Sequence, residues 1–173
     1  MIHPPQPEPC IDRALVARAS AVVSQLKTLG LTVVAAESCT AGLIAAALSQ
    51  GDGASDVLHG GFVTYTKANK VAALGVDADL LEREGSVNAA VVRQLACGAL
   101  DRSPADLAIA VSGVLGPEPD EDGNPVGLVY FACSRRGAEP EILRRDYGGK
   151  PSDTLRRTAV EEALALVARC THR

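Results

Sequence analysis

Between residues 31 and 48 the chain passes from one kind of apolar run to another, and the six residues in between carry hydroxyls. Leu31-Thr32-Val33-Val34-Ala35-Ala36 reads as a short buried strand. Leu43-Ile44-Ala45-Ala46-Ala47-Leu48 reads as a helix of small residues. The turn that joins them is Glu37-Ser38-Cys39-Thr40-Ala41-Gly42. A strand that delivers a turn to the start of a helix belongs to an open α/β sheet, whose ligands collect outside the carboxyl ends of the strands. The free N–H groups and positive dipole end of a helix start favour negative charge there. Ser38 is therefore the first candidate nucleophile.

The rest of the chain repeats this alternation. Leu15, Val16, Ala19, Val22, Val23, Leu26 and Leu29 recur at helical spacing over residues 11–29, and Gly30 is the expected stop. Residues 51–55 read as a loop and 62–66 as a second strand. Short helices are expected over 67–74, stopped by Gly75, and over 77–84 before Gly85. Asn88 can cap a longer helix that runs to about Arg102. Residues 107–111 form a strand apolar enough to be buried on both faces. Strands at 126–133 and 142–147 are separated by a short link, which predicts an antiparallel hairpin. Ser152 is the expected cap of the last helix, which carries Leu155, Ala159, Ala163, Leu166 and Val167 on one stripe. Together these elements predict a mixed sheet with helices on both faces in one domain, residues 11–173, behind a loose proline-rich tail over residues 1–10.

Composition excludes several classes of function. A length of 173 residues suits one domain with a core that needs no covalent staple. The net charge of -4, with no dense Lys/Arg cluster, argues against a nucleic-acid surface. No apolar stretch approaches the length of a membrane helix, and the N-terminus lacks the basic start and apolar run of a signal peptide. The five cysteines, Cys10, Cys39, Cys97, Cys133 and Cys170, form no CxxC pair and match no zinc spacing. They fit free thiols in a reducing cytoplasm.

Four segments bear on chemistry. A serine needs a base to become nucleophilic. His3 and His172 lie in the terminal tails, and His59 precedes Gly60-Gly61, so no Ser-His-Asp arrangement is visible. A lysine base then gains weight, since burial lowers an amine pKa until it accepts a proton. Tyr65-Thr66-Lys67-Ala68-Asn69-Lys70 leaves a strand and enters a helix, so either Lys67 or Lys70 can reach the same crevice as Ser38. Ser112-Gly113-Val114-Leu115-Gly116-Pro117 follows a buried strand, and its glycines admit close backbone approach to a ligand. Gly148-Gly149-Lys150-Pro151-Ser152 precedes a helix whose first turns hold Arg156 and Arg157, where an anion can sit. Substrate contacts are expected from Glu37, Thr40, Gly42, Ser112, Gly113, Gly116 and Arg156. Cys39 is a rival nucleophile, because a thiolate at a helix start is reactive.

The runs AAESCTAGLIAAALSQ, GGFVTYTKANKVAALGV, GSVNAAVVRQLACGAL, DLAIAVSGVLGP and NPVGLVYFA, in this order, resemble the CinA C-terminal domain family over about residues 11–170. The resemblance implies a three-layer α/β/α sandwich in its stand-alone form. It implies metal-free, cofactor-free hydrolysis of the carboxamide of nicotinamide mononucleotide to nicotinate mononucleotide and ammonia. The family's serine falls on Ser38, its tyrosine on Tyr65 and its lysine on Lys70 rather than Lys67. A pyridine nucleotide is the implied small-molecule partner, and a homo-oligomer the implied assembly. Two departures stand out. Four acids occupy Glu118-Pro119-Asp120-Glu121-Asp122, where the family has a neutral, glycine-rich loop, and Gly149-Lys150-Pro151-Ser152 replaces Gly-Asp-Arg before the last helix. The acidic loop motivates a second expectation, a nucleotide-binding or interaction domain without turnover.

Overall fold

The structure is a computed structural model, and it describes residues 11–172. The predicted tail over residues 1–10, with His3 and Cys10, lies outside them. Five strands form one mixed sheet in the order β2-β1-β3-β4-β5. β1 (Val33–Glu37) lies between β2 (Leu58–Val63) and β3 (Leu107–Gly113) and is parallel to both. β4 (Leu128–Arg135) runs antiparallel to β3, and β5 (Glu141–Asp146) antiparallel to β4, as the short link between them predicts.

The helices divide between the two faces. Against one pack α1 (Arg13–Leu29), α2 (Leu43–Leu48), the single turn α3 (Ala54–Val57) and α7 (Ser152–Cys170), burying Leu15, Val23, Ile44, Leu155 and Val167 on Val33, Ala35, Ile109 and Phe131. Against the other pack α4 (Lys67–Leu74), α5 (Ala78–Glu84) and α6 (Ala89–Asp101), burying Leu74, Leu81, Val92 and Leu95 on Val34, Ala36, Ala108 and Ala132. Alternate residues of β1 and β3 serve opposite cores, so every residue of β1 is buried. That is why these strands read as unbroken apolar runs. The result is the three-layer α/β/α sandwich. Among the described residues no helix is long and apolar enough to cross a membrane.

The helix ends follow sequence chemistry. Asp12, Thr66, Asp77 and Asn88 cap α1, α4, α5 and α6 with their side-chain oxygens, and Gly30 and Gly75 close α1 and α4 in the left-handed conformation. Three expectations need correction. β2 starts at Leu58, not Phe62, because Gly60 and Gly61 pair with Val34 and Ala35 instead of breaking the strand. Residues 54 and 55 of the loop expected over 51–55 belong to a helical turn, Ala54–Val57. Ser152 is the first residue of α7 and not its cap; Pro151 holds the cap position and supplies no side-chain bond.

Candidate active site

Ser38 lies one residue beyond the carboxyl end of β1. Its N–H donates to the Val111 carbonyl on β3 at 3.1 Å, while on the other side the Thr64 N–H donates to the Glu37 carbonyl at 2.7 Å. The sheet ladder thus continues past the strand and fixes the serine between two neighbours. Its side chain opens on a pocket of about 630 Å³, lined also by Cys39, Tyr65, Lys67, Lys70, Ser112, Gly113, Gly116 and Arg156.

Lys70 is 1% exposed, an unusual state for a lysine. Its Nζ lies 3.0 Å from Ser38 Oγ and donates to the Thr64 and Tyr65 carbonyls at 2.9 and 3.2 Å. Helix α4 creates this geometry. Thr66 caps it, accepting the Asn69 N–H at 3.1 Å, and Lys70 falls one turn later on the inward face. Lys67, at the first helical position, faces the pocket rim and pairs with Glu121 and Asp122. The choice between the two lysines left open by spacing falls geometrically on Lys70. Burial brings the Lys70 amine down to about 8, and the Lys67 charge pushes in the same direction. An appreciable share of the amine is then neutral near pH 8 and able to take a proton.

The turn after Ser38 is held by Glu37, itself 1% exposed. Glu37 Oε2 accepts from Thr40 Oγ1 at 2.6 Å and from the N–H groups of Gly42 and Ile44, both at 3.0 Å; Oε1 accepts from the Ala45 N–H at 2.9 Å. The carboxyl thereby caps α2 from the end of the preceding strand, which Gly42 has no side chain to do. Ala41, with φ of 51°, is the only described residue other than glycine in the left-handed region, a sign that the turn is constrained on both sides.

The structure gives the expected contact residues different places. Glu37, Thr40 and Gly42 do not border the pocket; they build the turn that presents Ser38. The N–H groups that open α2 serve Glu37, so the helix start offers them to no ligand. The Ala41 N–H donates to the Ser38 carbonyl at 3.1 Å. Tyr65 borders the pocket, is 65% exposed, and meets Lys70 through its carbonyl. Ser112 donates to the Ser86 carbonyl at 2.7 Å, which fastens β3 to the α5–α6 connection. Gly113 is required by packing, since an added Cβ would lie 2.7 Å from the Leu128 carbonyl oxygen. Cys39 borders the pocket, but burial pushes its thiol up to about 12, far from the thiolate a nucleophile needs. The carbonyls that hold Lys70 could not be read from side-chain identity; the Glu37 cap had a faint signal, an acid five residues ahead of an uncapped helix. No group of three or more His, Cys, Asp or Glu side chains among the described residues could hold a metal ion.

Residues 16–171 match the CinA C-terminal domain family. The nicotinamide-nucleotide amidohydrolase PncC of Escherichia coli is 37% identical over 153 residues, which cover 88% of this chain and 92% of that protein. A CinA-like protein of Synechococcus is 40% identical over 149 residues, but the match spans only 36% of its length against 86% of this chain. The chain therefore spans about a third of such longer relatives. Among solved structures, the competence/damage inducible protein CihA of Agrobacterium tumefaciens superposes with a TM-score of 0.88 at 36% identity, covering 94% of this chain and 98% of that one. A CinA-superfamily protein of Klebsiella pneumoniae gives 0.87 at 33% identity, covering 91% and 98%. With the fold, the buried serine–lysine pair and these similarities in agreement, the chain belongs to the CinA C-terminal domain family.

Proposed function

We propose that this protein is an amidase that hydrolyses the carboxamide of nicotinamide mononucleotide, giving nicotinate mononucleotide and ammonia, with Ser38 as nucleophile and Lys70 as its base. The observation that carries this reading is the 3.0 Å approach of a buried, pKa-lowered amine to a hydroxyl in a pocket. The 37% identity to an enzyme named for this substrate supports the choice of amide.

The residues divide the work as follows. Neutral Lys70 Nζ accepts the Ser38 hydroxyl proton as Oγ bonds to the amide carbon. A backbone N–H beside Ser38 meets the developing oxyanion; one such donor lowers the barrier by about 2.7–4 kcal/mol. Lys70 then passes its proton to the amide nitrogen, the C–N bond breaks and ammonia leaves. The exposed Tyr65 phenol assists that transfer. Water attacks the resulting ester, Lys70 takes the water's proton, and Ser38 recovers it as the acid departs.

The test is ammonia release from nicotinamide mononucleotide by purified protein and by Lys70→Met. The wild type is expected to turn over and the variant to fall to background. Undiminished turnover by Lys70→Met would remove the lysine from the mechanism. Binding of the mononucleotide without any product from the wild type would favour the silent binding domain.

A further inference from the structure

The pocket in front of Ser38 is asymmetric in charge. Glu118, Asp120, Glu121 and Asp122 all border it, and all come from the loop between β3 and β4. Two permanent cations, Lys67 and Arg156, border it as well. Lys67 is already engaged, its Nζ lying 3.0 Å from Asp122 and 3.1 Å from Glu121. Arg156 takes part in none of the ion pairs found among the described residues. Since Lys70 must be neutral to act, the reactive pocket holds four carboxylates against two cations.

Asp120 and Asp122 are held in place at the rim. Asp120 accepts from the N–H groups of Asp122 and Asn124 at 3.1 and 2.7 Å and from Asn124 Nδ2 at 2.9 Å, so the loop folds on itself. Asp122 accepts from the Ser86 N–H at 3.3 Å and packs so closely on Gly85 that an added Cβ there would lie 2.4 Å from its Oδ2. The loop is thereby pinned to the connection between α5 and α6 and to the start of α4. Charges fixed around a cleft act on any ligand that enters it.

Resting on the amidase reading, we infer that this acidic loop selects substrates by charge, so that the pocket takes a phosphate-free pyridinium carboxamide, nicotinamide riboside, in preference to its phosphate ester. Both compounds present the same ring, amide and ribose to Ser38, so the hydrolytic step is the same for each. They differ at the far end. The riboside carries one positive charge from the pyridinium nitrogen. The ester adds close to two negative charges near neutral pH, which makes it a net anion. An excess of rim carboxylate attracts the first and repels the second. The mononucleotide remains a substrate, and the riboside is the better one.

The experiment compares kcat/KM for ammonia release from nicotinamide riboside and from nicotinamide mononucleotide, in wild type and in Glu118→Gln/Glu121→Gln, at low and high salt. Both substituted residues are exposed, so the fold should survive. The wild type is expected to favour the riboside at low salt. Neutralising the two acids should lower the riboside-to-mononucleotide ratio about five- to tenfold, and high salt should shrink it in the same direction. A ratio unmoved by the double substitution, or a wild type that prefers the mononucleotide at low salt, overturns the inference. If neither compound releases ammonia, the amidase reading fails on its own. Calorimetric binding of the two compounds to Ser38→Ala then decides the charge preference: tighter binding of the riboside supports it, and equal or weaker binding overturns it.

Discussion

The Glu37 carboxyl accepts a hydrogen bond from the Ile44 N–H, seven residues later, at 3.0 Å. That contact closes the strand-turn-helix unit across Ser38. Its partners at Thr40, Gly42 and Ala45 make the same carboxyl the cap of a six-residue helix that has no other. Replacing Glu37 with Gln keeps the shape but turns an NH2 group toward N–H donors. A loss of about 2–4 kcal/mol in urea unfolding is expected, because buried donors are left unmatched. Amidase activity should fall with it, since the Ser38 turn loses its brace. Unchanged stability in Glu37→Gln would show that the turn holds without the carboxylate.

In the proposed mechanism Lys70 links catalysis and stability through one proton. Burial lowers its amine from 10.5 to about 8 in the folded chain. Below about 8 the amine is charged in both states, and the native state bears the whole cost of burying that charge. From about 8 to 10.5 the folded chain sheds the proton while the unfolded chain keeps it, so stability rises with pH over that window. Wild type should therefore gain up to about 3 kcal/mol relative to Lys70→Met between these limits. Denaturation of both proteins at a series of pH values reads this difference. The rate of amide hydrolysis should climb through the same region, with an apparent pKa near 8. A flat stability difference would mean the amine is not buried in its charged form.

Cys39 stands next to the proposed nucleophile but is unsuited to replace it. Its thiol is pushed up to about 12 by burial. Cys39→Ser should keep most of the wild-type activity, and iodoacetamide should label the position slowly at neutral pH. Loss of activity in Cys39→Ser together with rapid labelling would move the chemistry to the thiol.

Gly113 pairs with Val129 where β3 meets β4 beside the pocket. Gly113→Ala would place a methyl group 2.7 Å from the Leu128 carbonyl oxygen and 2.9 Å from Val129 Cα, contacts that backbone cannot relieve cheaply. A destabilisation of about 1–3 kcal/mol is expected from such overpacking, measurable as a lower melting temperature. A variant as stable as wild type would mean the strands can separate at no cost.

Much of this architecture is legible in the sequence, and the exceptions have physical causes. The doubly buried strands announce themselves because β1 and β3 must be apolar on both faces, and the cap at Asn88 follows from a side-chain oxygen at the right place. β2 was hidden because Gly60 and Gly61 resemble a breaker. In the fold, Gly61 lets α2 approach, since an added Cβ would lie 3.3 Å from Ala45 Cβ. Ser38 was legible from its place after a strand. Lys70 was separable from Lys67 only by the family resemblance or by the geometry of α4, because spacing allows both lysines into the crevice. Glu37, Thr40 and Gly42 looked like ligand contacts because they flank Ser38; hydrogen bonds within the turn and the first turn of α2 engage them instead. The partners of Lys67 in the 118–122 loop lie more than fifty residues away, and no local pattern announces them.

The claim that Ser38 is the nucleophile is tested most directly by the rate at which Ser38→Ala releases ammonia from nicotinamide mononucleotide. The variant should fold like wild type and lose at least about a thousandfold in kcat, since removal of a nucleophile leaves only binding and oxyanion stabilisation. A folded Ser38→Ala protein that releases ammonia at the wild-type rate would contradict the account.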